Sequence, residues 1–418
     1  MTGKTNPRMI LADRSVGTVV GLAFLILFGA GLVLPILPLY ARSFGVGYGA
    51  AGLLVASYSL ARLVCDLAAG IVVDRWGERA SGAAGLALTT AGALLTGLAP
   101  TFPLALASWA SAGAGSAVVF AAMYSYLLKV VPKERMGRTL SFFYGAFNGG
   151  VVAGALLGGV VASRFGLASP LFFMAGATFL ATLLYVCLLR VERPGLSEPA
   201  PAHSDVTLGG FRLLGRSGSR LARVARTPGF GMVIVTNLAY LWMVAAIFDT
   251  LLPLFARDAL QMSTLGIGVV FSVALAAEFL VLYPAGSLSD RRGRRYVLLP
   301  SLAALAVMTV AVGWAEEPVA LAAVVALLGV ASGFAGVPPA AMLADVIPEH
   351  QSGTGVGIFR FSGDLGFTLG PLVAGFTAGT LGFQAAFAIA ALPTVAAFVL
   401  VARGQETLGQ PEAPGVAR

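Results

Sequence analysis

Twelve predominantly apolar stretches, most of about 20 residues or more, follow one another along this chain of 418 residues, and each is long enough to cross a bilayer as a helix. They lie near 16–39, 49–73, 81–99, 103–130, 138–162, 170–189, 230–255, 264–288, 296–315, 318–346, 354–380 and 383–402 and are called spans 1 to 12. With 58% hydrophobic and only 11% charged residues, the composition is outside the range of soluble domains. The sequence therefore predicts an all-α integral membrane fold with twelve transmembrane helices, six in each half.

The two halves repeat. GIVVDRWGER at 70–79 matches GSLSDRRGRR at 286–295, so Gly70, Asp74, Arg75, Gly77 and Arg79 pair with Gly286, Asp290, Arg291, Gly293 and Arg295 at an offset of 216. The same offset joins Gly52 to Gly268, Pro132 to Pro348, Gly137 to Gly353, Gly150 to Gly366 and Gly154 to Gly370. One constant offset over that range indicates a duplicated six-helix bundle.

The distribution of cations sets the expected topology. With the N-terminus in the cytoplasm, the inner segments hold 22 of the 27 Lys and Arg and the outer loops hold three, Arg42, Arg164 and Arg257. This positive-inside pattern places both termini in the cytoplasm, and the length of span 1 argues against a cleaved signal peptide. The chain divides into an N-terminal bundle (1–190), a cytoplasmic linker (191–229), a C-terminal bundle (230–403) and a tail (404–418). The linker begins Pro-rich and then sets Arg212, Arg216, Arg220, Arg223 and Arg226 on one helical face, which suits either anionic lipid headgroups or plain solvation.

Several classes of chemistry have no visible machinery. The two cysteines, Cys65 and Cys187, are far apart in apolar stretches and read as core residues. His203 and His350 lack clustered metal-ligating neighbours, so no metal or other cofactor is expected. None of the three lysines sits in a complete phosphate-binding loop, and no nucleophile motif of the GxSxG kind occurs. The net charge of +8 follows the membrane topology and does not point to nucleic acid.

Charges inside the apolar spans cost several kcal/mol unless they meet a partner or water, which makes each a functional candidate. Span 2 carries Arg62 and Asp66, span 7 Asp249, span 8 Glu278, and span 11 Arg360 and Asp364. Arg62 with Asp66 and Arg360 with Asp364 are spaced to form local pairs. Their similar depths also allow a cluster in which Arg62 meets Asp364 and Asp66 meets Arg360. Glu278 falls where the first half has Arg62 and has no cation within a turn of its own helix, so it is the first candidate to load a proton; a structural role is the alternative. Asp249, expected near the hydrated outer end of span 7, ranks second. The runs GVVAGALLGG at 150–159 and GFTLGPLVAG at 366–375 place small residues at every fourth position and read first as close helix packing. Asn148, two residues before the first run, is a further polar mark.

These features resemble the major facilitator superfamily over the whole chain from span 1 to span 12. The family's loop signature is G-x3-D-R-x-G-R-R. Residues 286–295, including Arg294, match it closely, and 70–79 depart only at Glu78. The span 5 run is similar to the motif of exporting branches, with Ala155 in place of its proline, and Trp109 stands where proton antiporters usually carry an arginine on span 4. The resemblance implies two pseudo-symmetric bundles rocking about a central site, spans 2 and 11 and spans 5 and 8 forming the moving interface. It makes the Asp74 and Asp290 loops cytoplasmic latches.

The function expected is a secondary transporter of the cell inner membrane that exports a small amphipathic or hydrophobic compound in exchange for protons. Candidate ligand contacts are Phe28, Tyr58, Tyr144, Phe147, Tyr240 and Phe334, with Asn148. Proton-coupled uptake of a metabolite is the alternative, then lipid or lysolipid translocation, then a non-transporting sensor. The expected partners are the substrate, protons and membrane lipid, with a monomer as the working unit.

Overall fold

The computed structural model describes residues 14–131, 133–189, 224, 227–347 and 352–408. The linker arginines Arg212, Arg216, Arg220, Arg223 and Arg226 and both histidines lie outside the described residues.

All regular elements among the described residues are helical. They are α1 (Arg14–Val33), α2 (Leu37–Arg42), α3 (Tyr48–Leu98), α4 (Phe102–Val130), α5 (Lys133–Phe165), α6 (Ser169–Leu188), α7 (Phe230–Met243), a π-helix (Val244–Leu251), α8 (Leu252–Asp258), α9 (Thr264–Arg292), α10 (Arg294–Val312), α11 (Pro318–Gly336), α12 (Pro338–Val346), α13 (Ser352–Leu381) and α14 (Phe383–Arg403). Eleven segments among the described residues are long and apolar enough to cross a membrane. The twelfth predicted span is α13, 30 residues long, in which glycines, Arg360 and Asp364 dilute the apolar character.

The structure departs from the expected boundaries in physically simple ways. Spans 2 and 3 run together as α3, broken only at Gly77 with φ 77° and ψ 161°. Its repeat partner Gly293 separates α9 from α10 with φ 104° and ψ 155°. Both angles lie in the region that a side chain disfavours, so the second glycine of each loop signature is what turns the chain. Span 10 is interrupted at Val337, ahead of Pro338 and Pro339, because proline cannot donate to the helix ladder.

Two compact units result. One takes the N-terminal half except Leu37–Ser59, and the other takes the C-terminal half together with Leu37–Ser59. In the first unit, Val19, Leu22, Leu86, Met123, Leu127, Phe143, Ala181 and Tyr185 form a buried core drawn from spans 1, 3, 4, 5 and 6. There α5 lies directly on the backbone of α1. A Cβ placed on Gly150, Gly154 or Gly158 would come within 2.5, 2.2 and 2.2 Å of the carbonyl oxygens of Phe24, Phe28 and Leu32. The glycine run of span 5 is thus a packing device, as its spacing suggested.

In the second unit α13 lies on α7 in the same way, with Gly366 and Gly370 against the carbonyls of Leu238 and Trp242. These contacts fix the register of the repeat. Gly154 faces Phe28 and Leu32, while Gly370 faces Trp242 and Ala246, so span 7 follows span 1 at an offset of 214. Further on, Leu37-Pro38-Leu39-Tyr40-Ala41 corresponds to Leu252-Pro253-Leu254-Phe255-Ala256 at an offset of 215. One additional residue lies between, and there the chain winds as the π-helix. Thr250 Oγ1 donates to the carbonyl of Ala245, five residues back, at 3.0 Å. A single extra residue is what a π-bulge absorbs.

Gly154→Ala is expected to lower stability by about 1–3 kcal/mol through overpacking. Gly176→Ala, whose Cβ would meet nothing within 4 Å, is expected to be neutral or to stabilise by up to about 1 kcal/mol. Thermal unfolding of the two purified variants in detergent checks the contrast, which fails if both behave alike.

Candidate functional site

Glu278 sits on α9 where α11 comes closest. Gly329 and Gly333 of α11 would clash, through an added Cβ, with the carbonyls of Ala274 (2.2 Å) and Glu278 (2.6 Å), so the two backbones touch. That approach brings Ser332 to the carboxyl. Ser332 Oγ donates to Glu278 Oε2 at 3.1 Å, and Tyr240 of α7 donates to Oε1 at 3.1 Å. Tyr240, expected at the ligand surface, is thus joined to the coupling candidate. Its hydroxyl also occupies the space that a Cβ on Gly336 would need. Each carboxyl oxygen therefore meets a neutral hydroxyl, and no ion pair to Glu278 exists among the described residues.

Asp249 corrects an expectation. It is only 6% exposed and does not sit at an open helix end, because the whole outer part of span 7, from Ala245 to Ala256, is buried in the folded unit. It has no hydrogen-bond or ion-pair partner among the described residues. The remaining intramembrane charges keep their predicted spacing, Arg62 and Asp66 a turn apart on α3 and Arg360 and Asp364 a turn apart on α13, where Asp364 is buried. Asn237, missed in the sequence, ties α7 to α13 beside that second pair. Its side-chain amide donates to the carbonyl of Phe359 at 2.8 Å and to Ser362 Oγ at 3.0 Å.

The ligand candidates are less unified. Phe28 stacks on Phe24 with ring centroids 6.3 Å apart. Tyr58 and Phe147 are half-buried, and Asn148 is exposed. Phe334 faces a cavity between α10 and α11. Tyr144 lies within α5. Both cysteines are free, and Cys187 is exposed, so it is not the core residue it was expected to be.

The repeated loops carry contacts that identity matching hides. Glu78 accepts from Ser125 Oγ at 2.8 Å and pairs with Lys129 of α4. In the second half Arg294, at the matching position, pairs with Asp345 of α12 at 2.9 Å and with Asp290. Lys129 and Asp345 are themselves 216 apart, so one cross-helix ion pair occurs in both halves with its charges exchanged. Arg79 donates to the carbonyl of Val186, and its repeat partner Arg295 donates to that of Ala402, again at the same offset. Asp74, Arg75, Asp290 and Arg291 are exposed, whereas Glu78 and Arg295 are half-buried and Arg294 is buried. Gly70 and Gly286 leave room for an added Cβ, with nothing closer than 3.7 Å.

Comparison with known proteins agrees with this arrangement. The sequence profile of the Major Facilitator Superfamily matches residues 19–281 and, in a second copy, 257–414. The chain belongs to that superfamily. An uncharacterized MFS-type transporter of Methanocaldococcus jannaschii is 22% identical over 88% of this chain and 92% of its own length. Multidrug resistance protein MdtG of Yersinia enterocolitica is 36% identical over 32% of each chain, and quinolone resistance protein NorA of Staphylococcus aureus is 23% identical over 60% of each. Among solved structures, the nucleoside transporter NupG superposes with a TM-score of 0.74 at 16% identity, covering 93% of this chain and 98% of its own. The D-xylose-proton symporter does so with 0.73 at 16%, covering 94% and 99%. As a superfamily member the chain is a multi-pass membrane transporter of a small molecule and not an enzyme.

The exchanged ion pair gives a direct test. Glu78→Arg sets two cations together and is expected to lower the thermal midpoint, while Glu78→Arg with Lys129→Asp recreates the arrangement of the second half and restores it. Because Lys129 is largely exposed, the coupling in this double-mutant cycle is expected to be about 0.5–1 kcal/mol. Additive losses would remove the equivalence.

Proposed function

We propose that this transporter exports a small amphipathic or hydrophobic compound from the cytoplasm in exchange for protons, by alternating access in the inner membrane with both termini cytoplasmic. The observation that carries the coupling part is the pair of hydroxyls on Glu278. An ionised carboxylate accepts from both; a protonated one can donate to a hydroxyl that rotates. Both proton states thus keep partners within a few ångströms, at the level where spans 7, 8 and 10 meet. Asp249 is the second proton candidate in the same unit, and the charges Arg62 and Asp66 of one unit and Arg360 and Asp364 of the other are proposed to respond during the transport cycle. The names MdtG and NorA support the exporting direction. Uptake symport is the second reading, favoured by the names of the nucleoside and xylose transporters; lipid translocation has no comparable support.

The second unit also contains what we take as the outer gate. Tyr48 donates to Asp258 Oδ2 at 2.8 Å, Arg42 lies 3.9 Å from the same oxygen, and the Arg42 guanidinium stands 4.6 Å from the centre of the Tyr48 ring. Tyr48 packs on Phe383, which packs on Phe255. Beneath them a Cβ on Gly52 would lie 2.1 Å from the Pro371 carbonyl, and one on Gly375 2.5 Å from the Tyr48 carbonyl. The outer ends of spans 1 and 2 are thereby closed onto spans 7, 11 and 12.

Two measurements test the proposal. In proteoliposomes with a pH-sensitive dye inside, lipophilic cations and neutral drugs are expected to drive proton movement in the exchange direction. Glu278→Gln is expected to lose that movement while substrate binding persists, and the proton–substrate coupling removed is about 1–3 kcal/mol, or roughly 5–150-fold. Co-directional movement would establish the symport reading instead. Gly52→Leu is expected to stop transport in folded protein by holding the outer ends apart, read as increased labelling of a cysteine placed below Tyr48. Unchanged labelling and transport would sink the gate.

A further inference from the structure

The C-terminal unit also carries a recess, apart from the Glu278 cluster and of different chemistry. It is a cavity of about 1020 Å³ between α10 and α11, with Tyr296, Pro300, Ala304 and Met308 on one wall and Leu327 and Phe334 on the other. Tyr296, Pro300, Ala304 and Leu327 are exposed, so the recess opens sideways from the bundle. Apart from Arg295, Tyr296, Ser301 and Glu406 its lining is apolar. From Tyr296 to Met308 the wall rises roughly 18 Å along the helix, about the depth of one leaflet of a hydrocarbon core roughly 30 Å thick.

The polar end is basic. Arg295 lines the cavity and makes no ion pair among the described residues. Its backbone N–H is held by Glu406 and one terminal nitrogen donates to Ala402, but its buried Nε has no hydrogen-bond partner. Arg291 and Arg292 are exposed nearby, and Arg292 donates to the Tyr296 hydroxyl at 2.8 Å. The one carboxylate at the mouth, Glu406, already accepts from the backbone N–H groups of Arg294, Arg295, Thr407 and Leu408. Apolar walls one leaflet deep with arginines at the headgroup level complement an acidic lipid.

We propose that this recess binds one anionic phospholipid, its acyl chains along α10 and α11 and its phosphate at Arg295 and Arg292. The lipid is a standing ligand next to the 286–295 loop, separate from the transported compound. Because Arg295 also bonds to the last turn of α14, an occupied headgroup site bears on the contact between that loop and span 12.

Native mass spectrometry of the full-length protein in detergent, with equal amounts of dioleoyl phosphatidylglycerol and dioleoyl phosphatidylcholine added, tests this. One retained phosphatidylglycerol is expected, preferred by a factor of roughly five for each basic side chain engaged. Arg295→Gln should reduce the preference by roughly fivefold, Arg295→Lys should keep most of it, and Ala304→Trp, at an exposed wall position, should reduce retention of both lipids. Thermal midpoints of the variants identify any that misfold, and Val319→Trp, at an exposed position outside the recess, should retain lipid as the wild type does. Equal retention of the two lipids by the wild type would overturn the proposal. So would unchanged retention in Ala304→Trp, displacement by inorganic phosphate, or displacement by a lipophilic cation, which would make the recess part of the transport path.

Discussion

Close approach of helix backbones is the constraint on which the rest of this structure depends. Between helices in lipid there is no hydrophobic drive to associate, so attraction comes from van der Waals contact and from the few polar groups that meet. Glycine supplies the contact. Gly150, Gly154 and Gly158 set span 5 on span 1, and Gly366 and Gly370 set span 11 on span 7. The same device places the chemistry: Gly329 and Gly333 press span 10 onto the backbone of span 8, and only at that distance does the short side chain of Ser332 reach Glu278.

The duplicated halves share this packing but differ in the sign of their charges. A glutamate in place of arginine at position 78 looks like decay of the loop signature when each copy is matched by residue identity. The ion pair to Lys129 shows that the contact survived with its charges exchanged, since Arg294 and Asp345 make the equivalent one. The energy of such a pair depends on opposite signs at a given distance, whichever helix carries the cation. By contrast the hydrogen bonds of Arg79 and Arg295 to Val186 and Ala402 retain residue type, because a carbonyl acceptor cannot be exchanged for a donor.

Much of this was legible in the sequence. The spans, the repeat, the role of the span 5 glycines and the isolation of Glu278 from cations all follow from apolar length, offset and spacing. The Lys129 to Asp345 relation was also within reach, at the same offset as the glycines, but matching by identity passes over a pair of opposite charge. Tyr240 and Ser332 as partners of Glu278 were not legible, since they lie 38 and 54 residues away and meet it only through tertiary packing. The Tyr48 and Asp258 contact, 210 residues apart, belongs with them.

Asp249 shows how tertiary packing changes a chemical reading. Counting along a regular α-helix puts it near a wetted end. In the folded unit every residue from Ala245 to Ala256 is buried, so the carboxyl is enclosed whichever face of the helix it occupies. The two acids of the C-terminal unit then differ in kind. Glu278 has hydroxyl partners that serve either of its proton states without any movement of the backbone. Asp249 has none among the described residues, so stabilising its charge requires water, a cation or a displaced neighbour to reach it.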